Sequence, residues 1–396
     1  MTSVARSNRF HIAIFGRRNA GKSSLVNCLA GQTVSIVSHV AGTTTDTVWK
    51  NIELPGVGAA VIADTAGFDD AGELGSMRVD AARKVLAQAD AAILLLGECD
   101  GDALLEKEWL ALINEHQLPV IVVVGKCDMP DDAERAVLWQ EALGHDVIFF
   151  SAISGDGRDA LLERIALLYK HDNAFDDITH SLVKPGDVVV LVMPQDASSP
   201  KGRIIQPQVQ TLRNLLDKHC IPLCCAPEEL SRLLQSLVAP PQLIITDSQV
   251  FATVEKLTPP ETKLTSFSVL MARHKGDIDA FCSGAKALLA LSSTARVLIA
   301  EACSHIPQNE DIGRVKLPRL LRSKLGEELQ IDVVVGNDFP TDLSGYDIVI
   351  HCGACMFNRR TVLSRVRQAK LQGVPITNYG IAIAALTGIL NRVVLS

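Results

Sequence analysis

Short apolar runs punctuate the chain at intervals that suit a strand followed by a helix. Phe10–Phe15, Ala59–Ala63, Ala91–Leu96, Pro119–Val124 and Val147–Phe150 are near-continuous in hydrophobic character rather than alternating. Runs of this kind read as strands buried on both faces. Helical stretches separate them, so residues 8–172 predict a doubly wound α/β sheet. After a polar, acidic linker at His171–Val183, a second series begins. Strands at Val188–Met193, Ile221–Cys225 and Leu243–Thr246 alternate with helices at Val209–Lys218 and Pro227–Leu237, giving a small α/β domain over 184–262. A third α/β series fills 263–396. Strands are expected at Thr265–Met271, Arg296–Ala300, Ile331–Val335, Ile348–Ile350 and Val374–Thr377, with helices at Ile278–Leu291, Leu317–Leu325 and Asn358–Leu371.

Composition narrows the class. A chain of 396 residues suits two to three domains, and 47% hydrophobic residues imply large cores. No apolar run reaches the roughly 18 residues that span a bilayer. The first ten residues, MTSVARSNRF, lack the apolar stretch of a secretory signal, so a cytoplasmic protein is expected. A net charge of −7 argues against a nucleic-acid partner. Ten cysteines in a chain of this size do not suggest a disulfide framework. Cys28, Cys99, Cys127, Cys220, Cys224, Cys225 and Cys282 read as small buried hydrophobes.

The first strand runs into Gly16–Arg17–Arg18–Asn19–Ala20–Gly21–Lys22–Ser23, followed by a helix from Ser24. Strand, glycine loop and helix in this order make a phosphate-binding loop. Backbone N–H groups of 16–24, Gly16, Ala20, Gly21 and Ser24 among them, would surround phosphate oxygens. Lys22 would reach the β- and γ-phosphates, and the Ser23 hydroxyl would bind Mg²⁺. Gly42–Thr43–Thr44–Thr45–Asp46 supplies a switch threonine. In Asp64–Thr65–Ala66–Gly67, the carboxylate would hold Mg²⁺ through water and the Gly67 N–H would meet the γ-phosphate. Gly125–Lys126–Cys127–Asp128 and Ser151–Ala152 each follow a strand, where base recognition is expected. The Asp128 carboxylate matches the N1–H and N2–H₂ pair of guanine, so GTP and GDP are the expected nucleotides.

These residues resemble the translation-factor-like GTPases, and within them the tRNA-modification and ribosome-assembly branch. Asn19 and the Gly-Thr-Thr-x-Asp of 42–46 carry the likeness. It implies that Asn19 helps hold a K⁺ ion in place of an arginine finger and that Thr44 is the Mg²⁺ ligand. Two departures stand out. Gly125 replaces the asparagine of the Asn-Lys-x-Asp motif, removing one guanine contact. Phe68 replaces a water-orienting glutamine, with Glu73 a weak substitute, so intrinsic hydrolysis is expected to be slow.

The last third holds a different chemistry. Cys303-x-His305 follows one expected strand and His351-Cys352-x-x-Cys355 another, 45 residues lying between the two histidines. That interval admits a helix and a further strand, so a parallel sheet would bring Cys303 beside Cys352 and Cys355. Three thiolates around one point suit zinc or an iron–sulfur cluster. A three-cysteine cluster leaves one iron for a histidine, a water or a guest.

Together with the Lys184-Pro-Gly-Asp turn and the Ser199-Pro-Lys-Gly-Arg loop, this motif resembles the HydF family of iron–iron hydrogenase maturation GTPases over nearly the whole chain. The likeness implies a 4Fe–4S cluster on Cys303, Cys352 and Cys355, with His305 or His351 near the exchangeable iron. It implies a scaffold that accepts a di-iron precursor from two radical-SAM maturases and passes it to the apo-hydrogenase. It also implies a homodimer formed through the middle domain. The alternatives are a tRNA-modification or ribosome-assembly GTPase with a structural metal, and a redox enzyme using the cluster for electron transfer.

Overall fold

The structure is a computed structural model that describes residues 9–30, 48–65, 67, 81–97, 103–127, 132–172, 177–195, 204–302, 312–336 and 338–394. It divides into two compact units, residues 1–174 and 175–396.

In the first unit, β1 (Phe10–Phe15) leads into α1 (Lys22–Ala30). There follow β2 (Val48–Leu54), β3 (Gly58–Asp64), β4 (Ala91–Leu96), α2 (Leu104–Glu115), β5 (Val120–Val124), α3 (Asp132–Leu143), β6 (Val147–Phe149) and α4 (Arg158–Asp172). The six strands lie in the order β2-β3-β1-β4-β5-β6. All neighbours are parallel except β2 and β3, which form a hairpin in register from Val48↔Asp64 to Leu54↔Gly58. β2 was not foreseen; Gly56 and Gly58, both at positive φ, make the tight turn that returns the chain.

β1 and β4 are buried at every position, as their unbroken apolar runs predict. Phe10, Ile12 and Ile14 face one layer of helices with Leu25 and Leu161; Ala13 and Phe15 face the other with Trp109 and Leu110. The sheet order reverses at β1, which opens a crevice beyond its carboxyl end.

The second unit contains two four-stranded sheets, parallel throughout. One has the order β10-β9-β7-β8, from β7 (Val188–Val192), β8 (Ile221–Cys225), β9 (Leu243–Thr246) and β10 (Lys263–Ser266). The other has the order β12-β11-β13-β14, from β11 (Arg296–Glu301), β12 (Gln330–Val335), β13 (Ile348–His351) and β14 (Ile376–Asn378). One hydrophobic cluster joins them: Val190, Val192, Ile244 and Leu264 share it with Leu298, Ala300, Val349 and Ile376. The two sheets therefore form a single packed unit. The tail also returns to the first sheet, where Val394 N–H donates to the Leu264 carbonyl (2.9 Å) and Thr265 Oγ1 to the Val394 carbonyl (3.0 Å).

The expected strand Thr265–Met271 splits. β10 ends at Ser266, and α8 occupies Phe267–Lys275. Ser266 is the cause: its Oγ accepts the Val269 N–H (3.3 Å), the contact that starts a helix. Because Lys263–Ser266 is an edge strand of the first sheet, those residues pack with the segment before them. Between the sheets' strands run α5 (Gln206–Asp217), α6 (Leu230–Ser236), α7 (Phe251–Leu257), α9 (Ile278–Leu289), α10 (Leu317–Leu325) and α11 (Arg359–Leu371), with α12 (Tyr379–Leu386) after the last strand. α7 and α12 were not foreseen. α12 is buried on nearly all sides, so its sequence carries no helical period. Asn378 caps it by accepting the Gly380 and Ile381 N–H groups (2.9 and 3.3 Å). Among the described residues no helix is long and apolar enough to cross a membrane.

Candidate nucleotide site and cysteine loop

The loop after β1 lies against β4. A Cβ on Gly16 would stand 2.4 Å from the Leu95 carbonyl oxygen, so only glycine lets the strand end this close. Asn19 (φ 60°) and Gly21 (φ 100°) take left-handed backbone conformations, and Leu25 N–H to Gly21 O (2.9 Å) opens the first turn of α1. Lys22 is buried, and its Nζ donates to the Gly16 and Arg17 carbonyls (2.9 and 2.7 Å), which holds the ammonium inside the loop. The Ser23 Oγ donates to Asp64 Oδ2 at 2.7 Å. The hydroxyl and carboxylate proposed for Mg²⁺ thus converge, because β3 pairs with β1 in the register Ile14↔Asp64. Thr65 Oγ1 to Ile14 O (2.6 Å) ties the same two strand ends, and Gly67 is buried just beyond.

Gly125 and Lys126 follow β5, Lys126 at φ 59°. A Cβ at 125 would lie 3.3 Å from the Ala20 carbonyl, so this loop abuts the phosphate loop. Ser151 is fully buried, and its Oγ accepts the Ile153 and Ser154 N–H groups (both 3.2 Å), pinning the turn that carries half-buried Ala152. Gly16–Ser24, Asp64, Lys126 and Ser151–Ala152 therefore gather at the carboxyl ends of β1, β3, β5 and β6, along one edge of the sheet. Thr44, Asp128, Phe68 and Glu73 lie outside the described residues. Sequence reasoning missed Arg17–Glu106: Nε and Nη2 of Arg17 donate to the two carboxylate oxygens (2.5 and 2.9 Å). Glu106 is buried at 2% exposure, so this two-pronged contact anchors the phosphate loop to α2.

In the second unit, β13 ends at His351 and delivers Cys352 and Cys355. The Cys352 thiol accepts two backbone N–H groups, from Ala302 (3.0 Å) and Ala354 (3.4 Å). Cys352 N–H in turn donates to the Ala300 carbonyl (2.9 Å), fastening the loop to the end of β11. Ala354 sits at φ 51°, and half-buried Cys355 follows it. Burial pushes the Cys352 thiol up to about 11, while its two N–H donors pull the other way. Such a thiol stays protonated at neutral pH unless a metal ion displaces the proton.

His351 is 1% exposed and uses both ring nitrogens. Arg365 Nη1 donates to Nε2 (3.0 Å), so Nδ1 carries the proton and donates to the Cys352 carbonyl (2.8 Å). Burial first, then the Arg365 charge, holds its pKa down at about 3, so the ring is neutral. In this geometry His351 relays hydrogen bonds from α11 to the cysteine loop and presents no open lone pair to a metal. Arg365 is itself locked, its guanidinium 4.7 and 4.5 Å from the Phe339 and Phe357 ring centroids, with Nη2 donating to the Gly336 carbonyl. Cys303 and His305 lie outside the described residues. Among the described residues no three His, Cys, Asp or Glu side chains converge as a metal site.

The sheet order, the phosphate loop and the Ser23–Asp64 contact define a P-loop GTPase domain, here joined to a unit of two parallel sheets. Comparison with known proteins agrees. Residues 11–126 match the family described as 50S ribosome-binding GTPase. Residues 178–276 match the hydrogen maturase F dimerization domain, and 279–396 the hydrogen maturase F tetramerization domain. The chain belongs to the hydrogen maturase F family.

Among curated proteins, the tRNA modification GTPase MnmE of Actinobacillus succinogenes is 36% identical over 159 residues, covering 39% of this chain and 34% of that protein. GTPase Der of Rhodopirellula baltica is 33% identical over 182 residues, covering 42% and 39%. The chain thus spans about a third of the length of the curated relatives it matches. The solved structure of Era in complex with MgGDPNP and nucleotides 1506–1542 of 16S ribosomal RNA is also similar. It is 21% identical with a TM-score of 0.34, covering 55% of this chain and 92% of that one.

Proposed function

We propose that the chain is a GTP-hydrolysing scaffold for hydrogenase maturation. Cys303, Cys352 and Cys355 hold a 4Fe–4S cluster with one exchangeable iron. The protein, as a homodimer or larger assembly, receives a di-iron precursor from radical-SAM maturases and delivers it to apo iron–iron hydrogenase. The observation that carries the cluster reading is the Ala302 N–H on the Cys352 sulfur, because Ala302 immediately precedes Cys303 in the sequence. The donor set fits as well: two backbone N–H groups aimed at one sulfur favour a thiolate, and cluster sulfurs are commonly hydrogen-bonded this way. The hydrogen bonds on both His351 nitrogens favour His305, water or the guest for the fourth position.

In the GTPase unit each residue has a defined task. Lys22 sets a positive charge against the β- and γ-phosphates, and backbone N–H groups of 16–24 close around them. Ser23, Thr44 and Asp64 would hold Mg²⁺, and Asn19 would help hold K⁺; these ions neutralise charge that develops on the phosphates. The Gly67 N–H would meet the γ-phosphate, and Asp128, with Lys126, Ser151 and Ala152 around the base, would select guanine. Likeness to the tRNA modification GTPase covers 39% of the chain, and the two C-terminal family matches favour maturation over RNA work.

The test is anaerobic reconstitution with iron and sulfide, followed by metal analysis and EPR. Wild-type protein should take up about four iron atoms per chain. Cys303→Ser, Cys352→Ser and Cys355→Ser should each lose iron and keep GTP turnover. Full iron content in Cys355→Ser, or zinc in place of iron in the wild type, refutes the assignment.

A further inference from the structure

Lys275 closes α8 directly under the cysteine loop and is only 4% exposed. Its Nζ donates to the Ala354 carbonyl (3.1 Å) and the Phe357 carbonyl (2.9 Å), the two that flank Cys355 in the turn. Among the described residues no carboxylate pairs with it, and its two partners are carbonyls of the loop that carries Cys352 and Cys355. A buried ammonium held by carbonyls alone is costly, and a nearby anion offsets that cost. The fold thus places a cation beneath the loop that carries both cysteines. Packing does not explain the choice, since a methionine would fill the same channel without a charge to desolvate.

Resting on the cluster-carrying reading above, we infer that Lys275 is a positioning residue for the metal-loaded cysteine loop. It fixes the Ala354–Phe357 turn and sets a positive charge against the ligated thiolates, raising the reduction potential of the centre they hold. Charge placed just outside the ligands and hydrogen bonds to the ligand loop are among the levers that set such potentials. The lysine reaches the loop through carbonyls rather than through sulfur.

The test uses the full chain as wild type, Lys275→Met, Lys275→Gln and Lys275→Arg, each reconstituted without air. Iron and sulfide are counted, and the midpoint potential is read by EPR during titration with dithionite and mediators. Met and Gln variants should bind the cluster with the reduction equilibrium shifted at least tenfold toward the oxidised form, 59 mV for a one-electron couple. They should also surrender iron faster to a chelator, whereas the Arg variant should stay near the wild type. A role in packing alone predicts the reverse order, with Met tolerated and the bulkier Arg disruptive.

Potentials of the Met and Gln variants equal to wild type overturn the inference while leaving the cluster reading intact. Should Lys275→Met not fold, Lys275→Gln, which keeps a donor for both carbonyls, carries the test. If that variant fails to fold even without metal, the residue serves the metal-free fold and the inference is wrong. A wild type that takes up no iron removes the cluster reading first, and this inference with it.

Discussion

Replacing Gly284 by alanine should destabilise the second unit although alanine is the better helix former. Gly284 lies in α9, buried where that helix crosses β14. An added Cβ would stand 2.0 Å from the Ile376 carbonyl oxygen, 2.5 Å from its carbon and 3.0 Å from the Thr377 nitrogen. These are backbone atoms of a sheet strand and cannot rotate aside. Ordinary contact begins near 3.4 Å, so helix and strand must part by 3.4 − 2.0, about 1.4 Å. A gap of about 0.5–1 Å already forfeits a quarter to a half of the dispersion energy of the contacts beside it, and this one is wider. Those contacts belong to Phe281, Ala285 and Leu288, all buried. It also strains the hydrogen bond from Thr377 Oγ1 to the Phe281 carbonyl (2.9 Å). Overpacking of this kind costs about 1–3 kcal/mol and lost packing adds to it, against a propensity gain of about 1 kcal/mol. With overpacking at the upper end of that range the net loss is roughly 2 kcal/mol, a fall of roughly 4–8 °C for a unit of this size. Scanning calorimetry should show the second unit's transition moving down while the GTPase unit's stays put. A transition unmoved or raised would falsify the close-approach argument.

Gly353→Ala is the matched control: nothing lies within 4 Å of a Cβ there, so its melting should stay within about half a kcal/mol of wild type. Lys22→Ala should lower GTP turnover by about a hundredfold or more while leaving iron content and the second unit's melting unchanged. Unaffected turnover would contradict the placement of that ammonium in the phosphate loop. The metal-free protein should lose stability in acid through His351. Its folded pKa lies below the unfolded value, so the unfolded chain binds more protons between pH 6.5 and about 3, and stability falls as pH falls through that window. The slope approaches about 1.4 kcal/mol per pH unit. Urea midpoints at pH 7 and 4.5 should therefore diverge more for wild type than for His351→Gln; equal divergence would show that the ring protonates freely.

The amino-acid sequence by itself determined the parts whose cause is local. A six-residue apolar run bounded by turns, such as Ala91–Leu96, suits a strand covered on both faces, and it is buried at all its positions. The phosphate loop is equally local, since its turn needs Gly16 and Gly21 where they stand and a helix directly after. The spacing of His351, Cys352 and Cys355 after a strand was likewise readable, because alternation of strand and helix dictates which strand ends share an edge.

Tertiary structure decided what depends on partners distant in sequence. That Ser266 ends a strand and caps a helix depends on where α8 is buried, which the mixed polar and apolar sequence of Thr265–Met271 does not announce. Arg17 and Glu106 are 89 positions apart and meet only because α2 packs beside the phosphate loop. The motif at 351–355 suggested His351 or His305 as a neighbour of a metal, and the hydrogen bonds of the His351 ring are not readable from it. The fold sets Arg365, fourteen positions away, against one nitrogen and a carbonyl against the other, contacts that exist only once α11 packs beside β13.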